Sequence, residues 1–226
     1  MLRNDTNVGF GAAVNAGAAL ATGDYLWLLN PDVRLHDGHG MAGVVQFLET
    51  HPEYAAASPL LVLADGTPQP AQIARFPTAW RTLVERPVRE LAPRMPRLSR
   101  GFGRVSPAHL PVAERDVDHV AAAALLLRRR CFDAVGGFDP GYFMYFEDVD
   151  LLRRFAGQGW RTRWLPAARV EHAFGAATAG AAERRSLYWN GQRRYFERWS
   201  GPIGRAVLSL YRAVVMRWYA RRERAL

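Results

Sequence analysis

The sequence contains no lysine; all 30 of its basic residues are arginine. A phosphate-binding loop of the Gly-Lys-Ser/Thr type is therefore excluded. A single cysteine, Cys131, excludes an intrachain disulfide framework and any multi-cysteine zinc site, and fits a reducing compartment. No run of ~18 uncharged apolar residues is present, so no transmembrane helix is expected. Met1-Leu2-Arg3-Asn4 leads straight into polar, Gly-rich sequence without an apolar h-region, so no secretory signal is expected. Hydrophobic types make up 49% of the 226 residues and charged types 23%, a balance that excludes wholesale disorder, collagen and coiled coil.

The net charge of +9 is unevenly placed. Residues 1–120 hold eleven arginines against twelve acids, and residues 121–182 eight against six. Residues 183–226 hold eleven against three, so nearly all the excess lies in the tail. A basic tail on a near-neutral body points to an anionic surface as partner rather than to nucleic acid.

Along the chain, Phe10, Ala13, Val14, Gly17, Ala18 and Ala21 recur at helical spacing, with Gly23 placed to close that helix in the left-handed conformation. Tyr25-Leu26-Trp27-Leu28-Leu29 reads as a strand covered on both faces, as in a parallel sheet. Residues 39–50 form a helical stripe. Residues 54–63 read as one or two strands, followed by a hairpin turn at Asp65-Gly66. Residues 67–117 are rich in proline and arginine and read as a long irregular excursion, with a short helix near Trp80–Val84. Val120–Leu127 reads as one buried strand, and residues 129–135 as helical turns ending at Gly136-Gly137. A helix is expected from Glu147 to Gln158, then short strands at 160–165 and 168–172. From Ile203, the residues Val207, Leu210, Tyr211, Val214, Val215 and Trp218 occupy one half of a helical wheel, with Arg205 and Arg212 opposite.

Four constellations can carry chemistry. Asn30-Pro31-Asp32 places a carboxylate just past a buried strand, where open α/β sheets bind ligands. Asp32 there holds Mg²⁺ or Mn²⁺, caps the next helix, or merely turns the chain. Phe143-Met144-Tyr145-Phe146-Glu147-Asp148-Val149-Asp150 puts three acids at a helix start behind an aromatic run. Glu147 or Asp148 is a cap or, at the wall of an aromatic pocket, a general base. His172 ends a short strand after Pro166 and is a metal ligand or a surface histidine. Asn7-Val8-Gly9-Phe10-Gly11 with Asn15 precedes and enters a helix whose free N–H groups suit an anion.

In this order and spacing, the motifs resemble the family 2 glycosyltransferases of the GT-A fold, and within them the bacterial rhamnosyltransferase-like members. The matching stretches are Asn7–Arg34 and Val120–His172. The resemblance implies an α/β fold, a Rossmann-like mixed sheet with flanking helices. It implies Asp32 and His172 as metal ligands and Asp148 as catalytic base. Glu147 would contact acceptor or sugar, Asn30 would shape the nucleotide-sugar site, and Asn7, Gly9 and Asn15 would line the donor pocket. The implied reaction is inverting transfer from a nucleotide-diphosphate sugar, such as dTDP-rhamnose, to a hydroxyl of a glycan or lipid-linked acceptor in bacterial surface-polysaccharide synthesis.

In that family a strand–helix–strand unit, roughly 30 residues or more, precedes the Asn-x-Gly motif. Here six residues do, which implies an N-terminally truncated domain over 1–182. The alternative function is then a non-catalytic remnant acting as a binding or assembly module at a membrane. Residues 183–226 are expected to form basic amphipathic helices that bind an anionic membrane, pack on the domain, or make a homodimer. Together these features imply a cytoplasmic protein, peripheral on the inner face of the plasma membrane, with no nucleic-acid partner.

Overall fold

The computed structural model describes residues 2–35, 38–83, 110, 113–173 and 180–223. Val84 and the centre of the Pro/Arg-rich stretch lie outside the described residues, as do the side chains of Val214 and Trp218. The chain divides into two compact units, Met1–Phe76 with Arg104–Gln192, and Pro77–Gly103 with Arg193–Leu226. The units part within a helix, at Gln192/Arg193.

The first unit is built on a six-stranded mixed sheet. Its strands are β1 (Tyr25–Leu29), β2 (Val33–Arg34), β3 (Tyr54–Val62), β5 (Arg115–Asp116), β7 (Ala124–Arg128) and β8 (Arg161–His172). The order is β1-β7-β3-β8-β2, with β5 also pairing β8. A separate two-stranded ribbon joins β4 (Ile73–Ala74) to β6 (His119–Val120). The helices of this unit are α1 (Phe10–Leu20), α2 (Gly38–Thr50), α3 (Arg129–Ala134), α4 (Glu147–Gly157) and the first part of α5 (Ala181–Trp199).

All nine residues of β3 are buried, as a central strand with both faces covered requires. Ala56, Leu60 and Val62 join one core cluster with Leu125, Leu127 and Phe155, while Ala57 and Tyr54 join another with Val44 and Leu48. β3 pairs β8 in parallel and β7 antiparallel. Since β1 is antiparallel to β7, strands β1, β3 and β8 run the same way. Their carboxyl ends share one edge, which is where β7 begins.

Several expectations are corrected. β1 has both faces covered, Leu26 and Leu28 in one cluster and Tyr25 and Trp27 against the other, but its ladder partner is antiparallel. Apolar composition records burial and not strand direction. Gly23 is not left-handed; α1 ends at Leu20 and is capped by Ala21, with φ −72°. The run 120–127 is broken by a turn at Ala122-Ala123, where Ala121 N–H leaves the ladder to donate to the Gln72 carbonyl at 2.8 Å. The two short strands expected over 160–172 are one strand, β8, whose register slips at Pro166 so that Pro59 faces Leu165 and Leu60 faces Arg169. The ends of the proline-rich excursion carry β4 and β5 rather than irregular chain. The Asp65-Gly66 hairpin turn is present, with Gly66 at φ 78° and Leu63 N–H donating to the Thr67 carbonyl at 2.8 Å.

In the second unit, residues 79–83 form a helical turn, and α6 runs Pro202–Glu223. No described helix is long and apolar enough to cross a membrane.

The segment entering α4 is held under strain. Tyr145 and Phe146 both have left-handed backbones, φ 69° and 71°, which costs on the order of 1–3 kcal/mol per residue. Glycines let neighbours close on this segment. A Cβ on Gly9 (φ 85°) would stand 2.5 Å from the Phe143 carbonyl oxygen, and one on Gly191 of α5 would collide with the Tyr145 carbonyl. Gly→Ala in an open helix gains about 1 kcal/mol. Gly191→Ala should do the reverse, lowering stability by about 1–3 kcal/mol. The midpoint of a denaturant titration checks the sign.

Candidate active site

The carboxyl edge of the sheet gathers the first group. Asn30 leaves β1 with its N–H on the Ala123 carbonyl at 2.9 Å. The Asn-Pro-Asp turn then closes, Val33 N–H donating to the Asn30 carbonyl at 3.1 Å. β2 zips onto the end of β8, Val33 opposite His172, and Ala173 N–H donates to the Asp32 carbonyl at 3.0 Å. These bonds place Asp32 Oδ1 3.2 Å from His172 Nε2, with Asn30 Nδ2 3.5 Å from the same nitrogen.

Gln69 completes this group, and nothing in the sequence singled it out. Its buried side chain lies with Oε1 2.6 Å from His172 Nδ1. A ring that donates its Nδ1–H to Gln69 turns the Nε2 lone pair toward Asp32. An acceptor facing a carboxylate at 3.2 Å suits a cation. Two neighbouring ligands of an octahedral Mg²⁺ at ~2.1 Å stand about 3 Å apart. Asp32 and His172 therefore fit a divalent metal. Among the described residues no cluster of three or more His, Cys, Asp or Glu suits a metal. The one available clue to Gln69 was its setting between Pro68 and Pro70, which fixes the backbone on both sides.

The second group heads α4. Asp148 Oδ1 accepts the Val149 N–H at 2.8 Å, and Oδ2 accepts the Ala122 N–H at 3.4 Å. His119 Nε2, from β6, is 3.3 Å from Oδ2. Burial pushes the Asp148 carboxyl up, but the His119 ring and the two N–H groups outweigh it and hold the group below the ordinary aspartate value. Glu147 goes the other way. Burial, and then the charge of Asp148, raise it to about 8. Its Oε2 is buried with no hydrogen-bond partner among the described residues. Asp150, the third acid, is fully buried on Arg154 at 2.8 Å and is structural.

The two groups meet across the Ala121–Ala123 turn. Ala123 accepts from Asn30, and the adjacent Ala122 donates to Asp148. The Asn7–Asn15 segment lies against the loop that leads into α4. The Asn7 side chain accepts the Gly9 N–H at 3.1 Å, and Phe10 N–H donates to the Phe143 carbonyl at 3.2 Å. Asn15 is committed to the backbone of Phe138, donating to its carbonyl at 2.7 Å and accepting its N–H at 2.8 Å. In this arrangement Asn15 clamps the loop. A cavity of about 610 Å³ lies apart from these residues, beside α2, lined by Phe47, His51, Tyr54 and Arg163 among others.

Solved structures share this fold. The chain superposes on GalNAc-T7, crystallised with UDP, GalNAc and Mn²⁺, with a TM-score of 0.52 and 17% identity over 76% of this chain and 31% of that one. It superposes on the mannosyltransferase PcManGT of Pyrobaculum calidifontis, in complex with GDP-Man and Mn²⁺, with a TM-score of 0.50 and 14% identity over 89% and 48%. The fold is the GT-A fold of glycosyltransferases. The model of the "Glycosyltransferase like family 2" matches residues 2–191, and the chain belongs to that family. Among relatives, the N-acetylglucosaminyl-diphospho-decaprenol L-rhamnosyltransferase of Mycobacterium tuberculosis is 29% identical over 99% of this chain and 78% of its own length. The O-antigen biosynthesis protein RfbC of Myxococcus xanthus is 29% identical over 84% of this chain and 14% of its own length. The rhamnosyltransferase WbbL of Escherichia coli K12 is 45% identical over 25% of this chain and 21% of its own. The protein is thus a rhamnosyltransferase-like glycosyltransferase of family 2.

The raised Glu147 carboxyl has a consequence for stability. Between about 4.5 and about 8 the folded chain holds a proton that the unfolded chain has released, so stability falls as pH rises through that window. Glu147→Gln should flatten this slope, whose ceiling is about 1.4 kcal/mol per pH unit. Denaturant midpoints measured from pH 5 to 8 on both proteins check it.

Proposed function

We propose that the protein moves a sugar from a nucleotide-diphosphate donor, with dTDP-rhamnose as the first candidate, to a hydroxyl of a glycan or lipid-linked acceptor in bacterial surface-polysaccharide synthesis. One observation carries the reading: the Asp32–His172 pair and the Asp148 carboxylate, remote in sequence, are joined through a single turn, Ala122-Ala123. The relatives' names supply the candidate sugar and the class of acceptor.

Asp148 takes the proton of the attacking hydroxyl. Its depressed affinity keeps it ionised and ready near neutrality. A single displacement with one base and no protein nucleophile inverts the anomeric centre. Glu147, protonated near neutral pH, offers an O–H to a sugar oxygen. Asp32 and His172 would hold Mg²⁺ or Mn²⁺, which when bound supplies positive charge to offset that developing on the departing diphosphate. Asn30 shapes the donor side, and Asn7 and Gly9 fix the loop behind it. Asp148→Asn keeps the side-chain volume and removes the base. Transfer from dTDP-rhamnose should fall by about 10²-fold or more, with donor affinity by calorimetry little changed. Transfer near the wild-type rate would refute the assignment.

We infer further that α6 seats the protein on an anionic lipid surface. Ile203 and Leu210, one heptad apart, are 82% and 69% exposed, and Trp80 is 72% exposed. Ala79 lies near Gly204 at the start of the helix. Arg205, Arg212 and Arg217 supply the complementary charge. Deletion of residues 203–226 should abolish co-sedimentation with phosphatidylglycerol vesicles at low salt; undiminished binding would count against this seat.

A further inference from the structure

His119 belongs to none of the sequence motifs, yet its ring stands beside the proposed base. It sits on β6, opposite Ala74 of β4, in a ribbon that is not part of the main sheet. Its side chain is 11% exposed and that of Asp148 18%. The ribbon's place is fixed from three sides. Ala121 N–H is on the Gln72 carbonyl, the Gln72 amide bridges the N–H and carbonyl of Leu61 in β3, and Val120 lies in the core. A histidine on so fixed a support, 3.3 Å from one carboxylate oxygen, is not a wandering surface side chain.

We propose that His119 is the positioning residue of the base: with the N–H groups of Ala122 and Val149, it fixes the Asp148 carboxylate in one orientation and sets its basicity. The inference rests on Asp148 being the base. Two backbone N–H groups hold one oxygen each, and both are fixed dipoles whose effect does not change with pH. His119 meets Oδ2 as an ion-pair contact and not as a hydrogen bond, and of the three partners it alone can carry a full charge. Glu147 is the neighbouring carboxyl, and Asp150 is paired with Arg154. With His119 removed, burial remains and favours the protonated base, opposed by the N–H groups of Ala122 and Val149.

The test is His119→Gln in the full chain, with His119→Asn as a second variant should the first fold poorly. The Asp148 carboxyl is followed by ¹³C NMR in protein labelled at aspartate, and its resonance is assigned by its loss in Asp148→Asn. Its titration should move up by about one to three pH units when His119 is replaced. The acid limb of kcat/KM for transfer from dTDP-rhamnose should move up with it. An Asp148 titration that stays in place in the folded variant overturns the proposal. So does a uniform loss of rate with an unmoved limb, which is what a purely structural histidine would give. If Asp148→Asn remains active while the NMR titration moves, the pairing stands and the assignment of the base fails.

Discussion

The site depends on a short stretch of chain held against its own preference. Residues 143–146 carry two non-glycine left-handed backbones, and directly after them α4 begins with Glu147 and Asp148. Such strain persists only where the surroundings over-determine it. Gly9 and Gly191 close on the carbonyls of Phe143 and Tyr145, Asn15 grips Phe138 at both backbone groups, and the Tyr188 ring stands 5.2 Å from that of Phe146. The reward is direction: without this turn the first residues of α4 would project along a different axis.

Two adjacent carboxylates then acquire opposite characters. Asp148 has a histidine and two N–H groups; Glu147 has burial and a like charge. Environments that push a pair of titratable groups apart allow one to act as a base while the other stays protonated. The same economy of partners governs the second group, where Gln69 at the Nδ1 side of His172 determines what the Nε2 side can do.

Much of this was readable in the chain. Helical spacing located α1, α2 and α4, because period and burial are local properties. Asp65-Gly66 declared its turn, and Gly136-Gly137, with φ 76° and 69°, end the helix expected before them. The motif residues Asn30, Asp32, His172, Glu147 and Asp148 were all singled out. Strand direction was not legible in Tyr25–Leu29, since a strand covered on both faces has the same composition whichever way its neighbour runs. Asn15 was placed on a segment expected to line the donor pocket; that its amide holds Phe138, 123 residues away, had no signal in the chain.

The sequence by itself determined where the principal helices lie, and which acids and which histidine stand at the ends of elements, because these follow from local sterics and periodicity. Only the tertiary structure decided that Gln69 would meet His172 across 103 residues, and that His119 would stand beside Asp148. Neither contact has a local signature. Each arises because strand pairing and the turn at Ala122-Ala123 bring separate ribbons to one edge of the sheet, where proton affinities are set by neighbours in space.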